Sequence, residues 1–148
     1  MLILVTGDRN YTDTKIVSDA FDLLGETSET RRNDETRRND ETRTLLHGNC
    51  RGADKLAEAE AKKRGYSIST FTPEWNKYGK YAALKRNKEM VDMIPEVVLI
   101  FHDNLKESKG TNHCVKYLFE QIDKGTVILP TLIFNGKIVD RKEIEKEL

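Results

Sequence analysis

Cysteine is scarce in this chain: Cys50 and Cys114 are the only two among 148 residues. Two cannot make a disulfide framework, and neither stands at metal-ligand spacing from the other or from His102 or His113. Long apolar runs are absent, so nothing approaches the length of a membrane-spanning helix. The opening Met1-Leu2-Ile3-Leu4-Val5 runs into Gly7 before reaching the length of a signal peptide's apolar region. An excess of either charge is also absent: Lys+Arg and Asp+Glu number 25 each. A protein that coats nucleic acid by releasing counterions needs a basic excess, so that partner is disfavoured and only a local basic pocket is left open. The expectation is a cytoplasmic protein with reduced thiols, no membrane partner, and no metal or cofactor. Its 148 residues fit one domain with one core.

Three short apolar runs, Leu2 to Thr6, Val97 to Phe101 and Thr126 to Leu129, do not alternate, as expected of strands buried on both faces of a parallel sheet. Thr44 to His47 and Tyr66 to Phe71 read as weaker strands, the second nearer an edge. Between them lie helical stripes. Ile16, Val17, Ala20, Phe21 and Leu24 stop at Gly25; Ala53, Leu56, Ala57 and Ala61 stop at Gly65. Ala83, Asn87, Met90, Val91 and Ile94 stop at Pro95; Val115, Leu118, Phe119 and Ile122 stop at Gly125. Strand and helix alternate five times, which predicts an α/β fold: a Rossmann-like, doubly wound parallel sheet of about five strands.

Two segments break the rhythm. Residues 29–43 read ETRRND, ETRRND, ETR, with no apolar residue to bury, so a solvated surface loop is expected on the edge away from a ligand. A chain lacking residues 29–40 but keeping Glu41-Thr42-Arg43 as connector is expected to stay within about 1 kcal/mol of the parent in a denaturant melt, because loop length costs little entropy. A collapsed transition would make the repeat structural. The second segment is the extension over 131–148. Asn135-Gly136 between Leu132-Ile133-Phe134 and Lys137-Ile138-Val139 predicts a hairpin. Asp140 and Glu143 predict the capped start of a short last helix. The hairpin either closes the core or forms an oligomer contact.

Open parallel sheets hold ligands beyond the carboxyl ends of their strands. There this sequence places Gly7-Asp8-Arg9-Asn10-Tyr11, then Gly48-Asn49-Cys50-Arg51-Gly52-Ala53-Asp54. Trp75 follows the third strand, His102-Asp103 the fourth, and Lys109-Gly110-Thr111 opens a helix. Glycines that admit backbone N–H groups, helix N-termini and arginines together outline a phosphate site. Each also has a plainer reading. Gly48 and Gly52 serve turns, Arg51 and Arg86 are solvated charges, Asp54 favours a helix dipole, and Trp75 plugs the core rather than stacking on a flat ligand. Asn87 falls on an apolar stripe and must find partners, in a site or by tying down a loop.

The ordered set Gly7-Asp8-Arg9-Asn10-Tyr11-Thr12-Asp13, Gly48-x-x-Arg51-Gly52-Ala53-Asp54, Trp75-x-x-Tyr78-Gly79, Arg86-Asn87-x-x-Met90 and Lys109-Gly110-Thr111 resembles the YspA/YpsA-related branch of the SLOG superfamily. The likeness runs to about residue 130 and skips the repeat and the tail. It implies a nucleotide-derived small molecule as ligand, and a homo-oligomer. The superfamily also holds the Lonely-guy phosphoribohydrolases, which cleave the N-glycosidic bond of nucleoside monophosphates. Against their Arg-Lys-x-x-Met and Gly-Gly-x-Gly-Thr-x-x-Glu elements, Arg86 is kept, Asn87 replaces the lysine, Glu107-Ser108 replaces the glycine pair, and Cys114 replaces the glutamate. Glycosidic cleavage passes through a cationic sugar that a carboxylate stabilises, and a thiol does this poorly. Asp8, Asp54 and Asp103 are the carboxylates left to substitute. The expected function is binding of a phosphate-bearing nucleotide or nucleotide-sugar-like ligand, as sensor or sequestering protein. The alternative is a hydrolase of nucleotide N-glycosidic or phosphate bonds with a relocated carboxylate.

Overall fold

A computed structural model of the protein describes residues 1–24 and 43–148, so the hexad repeat, Arg43 apart, lies outside the described residues. Strand β1 (Leu2–Gly7) leads into α1 (Thr14–Asp22), which Asp13 caps by accepting the Ile16 N–H at 3.0 Å. Then come β2 (Thr44–His47), α2 (Ala53–Lys63), β3 (Ser67–Thr70) and the single turn α3 (Trp75–Tyr78). The second half holds α4 (Ala82–Val91), β4 (Val97–Phe101), α5 (Gly110–Asp123), β5 (Thr131–Phe134), β6 (Lys137–Val139) and α6 (Arg141–Glu145).

The strands form one six-stranded sheet in the order β3-β2-β1-β4-β5-β6, parallel except for the β5–β6 hairpin. Successive side chains point to opposite faces. Ile3 and Val5 therefore meet Val17, Ala20 and Phe21 of α1 and the Ala53, Ala57, Ala61 stripe of α2. Leu4 meets Met90 and Val91 of α4 and Val115, Leu118 and Phe119 of α5 on the other face. Both faces are covered, which is why the central strands read as unbroken apolar runs.

The sequence reading is corrected at the fifth strand. Thr126 to Leu129 is not a strand: Thr126 and Val127 fold their N–H groups back onto the Gln121 carbonyl at the end of α5. Ile128 is 82% exposed, and Pro130, which follows the run, has no N–H for a ladder. The fifth parallel strand is Thr131–Phe134, the first arm of the predicted hairpin, paired with β4 from Val97↔Thr131 onward. The α4 stripe is also shorter than predicted, because the helix ends at Val91 and Ile94 is exposed with φ +59°. The tail follows the prediction: the Asn135-Gly136 turn has positive φ at both residues, and Asp140 accepts the Glu143 N–H at 3.0 Å. The Asn135 side chain also clamps the chain leaving β4, accepting the His102 N–H at 2.9 Å and donating to the His102 carbonyl at 3.0 Å. Among the described residues no helix is long and apolar enough to cross a membrane.

Candidate functional site

Strand order reverses between β1 and β4, and at that switch point a cleft of about 710 Å³ opens over the carboxyl ends of the strands. Ten of the twelve predicted site residues line it: Gly7, Asp8, Arg9, Arg51, Asp54, Trp75, Arg86, Asn87, Gly110 and Thr111. Gly48 and Gly52 are not among its lining residues, and geometry explains their place. A Cβ on Gly48 would overlap the Arg86 guanidinium, and one on Gly52 would overlap the carbonyls of Asp8 and Arg9.

The turn after β2 is built around Asp54. This carboxylate is buried at the start of α2, and its Oδ2 accepts the N–H of Gly48 at 3.0 Å and of Cys50 at 3.2 Å. Burial pushes its pKa up, against the pull of those N–H groups and of the nearby His47 and Arg86. Asp54 Oδ2 thus holds the loop by two N–H groups. The Asp8 carboxylate likewise accepts the Asn10 N–H at 2.9 Å.

Arg86 is not the solvated charge of the plainer reading. It is 9% exposed, its Nη1 donates to the Gly48 carbonyl and its Nε to Asn87 Oδ1 at 2.9 Å. Asn87 passes the connection on, donating from Nδ2 to the Gly110 carbonyl at 3.2 Å. One pair of adjacent α4 residues therefore ties the β2 turn to the start of α5. Among the described residues nothing accepts from Arg86 Nη2, although the side chain lines the cleft.

Two long helices aim their N-termini here. An N-terminus leaves N–H groups without internal partners and carries a partial positive charge. At α5 the Thr111 N–H is taken by Ser108 Oγ at 3.0 Å, and Lys109 occupies the cap position. Arg9, Arg51 and Lys109 are exposed at the cleft wall, and among the described residues none of them, nor Arg86, makes an ion pair. Among the described residues the one hydrogen bond that Arg51 makes is to the neutral Asn10 Oδ1, at 3.2 Å. Trp75 is 56% exposed at the rim, so it does not plug the core. Among the described residues no cluster of three or more His, Cys, Asp or Glu could hold a metal.

The cleft also takes residues that sequence reasoning passed over as candidates. Thr6 is the last residue but one of β1, and Glu107 comes from a short 3₁₀ turn over Leu105–Glu107. Position alone could have flagged Thr6, since it precedes Gly7, and Glu107 stood out only as a replacement for the first glycine of the phosphate turn, not as a candidate in its own right. Asp103 does not line the cleft. Cys114 lies one layer behind it, hydrogen-bonded to Thr6, and burial pushes its thiol up to about 12. A pKa raised that far keeps the neutral thiol at any ordinary pH. Cys50, by contrast, is half-buried and lines the cleft. Iodoacetamide is expected to label one thiol in the folded protein, Cys50, and two after denaturation. Two labels under native conditions, read by intact mass, would contradict the burial of Cys114.

A sequence profile of the YspA, cpYpsA-related SLOG family matches residues 1–78, just over half the chain. The chain belongs to the YspA, cpYpsA-related SLOG family. The SLOG-matching part holds β1, β2, α2 and β3, and with them the turns that carry Asp8, Arg9 and Arg51 and the start of α2 with Asp54. The chain is also similar to the Gene 61 protein of Mycobacterium phage D29, 34% identical over 122 residues, covering 77% of this chain and 85% of the phage protein. No solved structure matches it.

Proposed function

We propose that the cleft binds a phosphate-bearing nucleotide or nucleotide-sugar-like small molecule and holds it without turnover, as a sensor or sequestering protein does. One observation carries this reading: Arg9, Arg51, Arg86 and Lys109 reach a single cleft, and among the described residues no carboxylate pairs with any of them. Unpaired cations beside two helix N-termini favour a dianionic group such as a phosphate. The exposed Trp75 ring at the rim offers a flat face to a base. Membership of the SLOG family supports a nucleotide-related ligand.

Hydrolysis is the second reading, favoured by the carboxylates of Asp8, Asp54 and Glu107 in the cleft. Two of these three already accept loop N–H groups, and the position where the phosphoribohydrolases carry glutamate holds a buried thiol. Losing a group that acts in the transition state costs ~10²- to 10⁴-fold in rate, while ground-state binding survives.

Native mass spectrometry of protein purified from cells is expected to find a bound nucleotide-like molecule. Calorimetry with that molecule should show Arg51→Ala weaker by about 1.5–3 kcal/mol, the worth of a charge-assisted hydrogen bond. Gly110→Ala is a useful companion, because a Cβ there meets nothing within 4 Å. Its stability should stay within about 1 kcal/mol of wild type, alanine being the better helix former. Chromatography should recover the ligand unchanged. Unaltered affinity in Arg51→Ala would remove the site assignment, and robust turnover abolished by Arg51→Ala would replace binding by hydrolysis.

A further inference from the structure

His47 ends β2, fully buried, and is not among the residues lining the cleft. Its ring is engaged on both sides. Nε2 lies 2.7 Å from Glu58 Oε2 of α2 and 3.4 Å from Thr70 Oγ1 of β3, while the Asn49 N–H donates to Nδ1 at 3.0 Å. An amide N–H needs a lone pair, so Nδ1 carries no proton and the ring's one proton sits on Nε2, donated to Glu58. Burial works to raise the Glu58 carboxyl, yet the hydrogen bond from His47 and the nearby Lys55 and Lys62 hold it below its ordinary value.

Asn49 has φ +59°, a left-handed conformation that asparagine tolerates when its surroundings fix it. Lys55 Nζ donates to its Oδ1 at 2.7 Å, and its Nδ2 donates to Thr72 Oγ1 at 3.3 Å, on the turn that leads to Trp75. On either side of Asn49 stand Gly48 and Cys50, whose N–H groups Asp54 holds, and the Gly48 carbonyl receives Arg86.

We propose that His47 is a positioning residue of the cleft: with its one proton on Nε2 it accepts from the Asn49 N–H and fixes the 48–51 turn that receives Arg86, so that loss of the acceptor at Nδ1 releases that turn and weakens anion binding. The charged groups around the ring are Glu58 and Asp54 from α2, Lys55 and Lys62 beside Glu58, and Arg86 from α4 at Gly48; β3 presents only the Thr70 hydroxyl. This inference rests on the reading of the cleft as an anion site, and its test separates the two.

The probe is sulfate, at one fixed pH. Nuclear magnetic resonance of the full chain follows the His47 ring nitrogens, the Asn49 amide, and the Gly110 and Thr111 amides as sulfate is added. The ring should be the Nε2–H tautomer. His47→Phe fills the same place without an acceptor, so sulfate affinity should fall about two- to tenfold, the equivalent of one neutral hydrogen bond, together with movement of the Asn49 amide. His47→Asn returns an acceptor near the place of Nδ1 and should recover part of both. An Nδ1–H tautomer in wild type, an Asn49 amide that stays still in His47→Phe, or equal losses in the two variants would overturn the proposal. If sulfate never perturbs Gly110 and Thr111, the anion-site reading falls instead. The Asn49 amide then decides on His47: displacement in His47→Phe that His47→Asn reverses supports the positioning role, and an unmoved amide ends it.

Discussion

Arg86→Ala is expected to lower the stability of the folded chain by about 3 kcal/mol and to cost the ligand ~10- to 100-fold in affinity. The two effects have one origin. Arg86 is buried, and its guanidinium serves the Gly48 carbonyl and Asn87 Oδ1 at once. Truncation leaves both acceptors without their charged donor, and hydrogen bonds to charged groups are worth about 1.5–3 kcal/mol each. Lost with them is Nη2, which has no acceptor among the described residues, on a side chain that lines the cleft. Arg86→Lys should recover little, because a point charge cannot reproduce a fork that reaches two acceptors while presenting a third nitrogen. Denaturant melts give the first quantity and calorimetry the second. A melt unchanged in Arg86→Ala would mean that the β2 turn stands without the arginine. Affinity unchanged in a folded Arg86→Lys would mean that only charge matters at that place.

Gly52→Ala should be at least as damaging to the fold, by about 3 kcal/mol or more. Gly52 holds φ +74° and ψ −125°, a region in which side-chain-bearing residues are strained. Its Cα also presses on the β1 turn, so that a new Cβ would overlap the carbonyls of Asp8 and Arg9. That Asp8 carbonyl is already engaged, accepting from Tyr11 N–H at 3.1 Å and Ala53 N–H at 3.0 Å. The turn would have to move, and with it two residues of the cleft wall. Gly79→Ala separates strain from crowding. Gly79 has φ +56° but nothing within 4 Å of an added Cβ, so it should cost only about 1 kcal/mol. Equal losses in the two variants would show that backbone conformation alone governs Gly52.

Much of this architecture was legible in the residue pattern. The runs at Leu2 to Thr6 and Val97 to Phe101 are the two central strands, and the polar residues just after them do meet over the switch point. Periodicity failed where local hydrogen bonding overrode it. Thr126 to Leu129 has the β-branched, apolar composition of a strand, but its leading N–H groups are captured by Gln121. The arm Leu132-Ile133-Phe134 announced a hairpin, and nothing in a local pattern could add that it pairs in parallel with β4 on its other side. At the site, Arg86 stands four residues after Ala82 and four before Met90, on the buried face of α4. Arg86 was singled out for the site, but its burial, which that spacing allows, was not read, because charged side chains ordinarily seek water. Gly48 and Gly52 were correctly singled out as glycines at turns, but which neighbour each must admit depends on groups 38 and 44 residues away in sequence, the Arg86 side chain for Gly48 and the Asp8 carbonyl for Gly52.

The clamp between Asn135 and His102 bears on where this chain can be cut or spliced. Residues 131–148 look like a detachable tail, yet the first four form the fifth parallel strand and the turn after them grips the segment that leaves β4. A chain stopped at residue 130 would bare one side of β4 and free the loop that carries His102 and leads on to Lys109. Shortening from that end therefore dismantles one wall of the cleft from a distance. Foreign segments fit better at the exposed turn around Gly79, where the added backbone would displace no clamp of this kind.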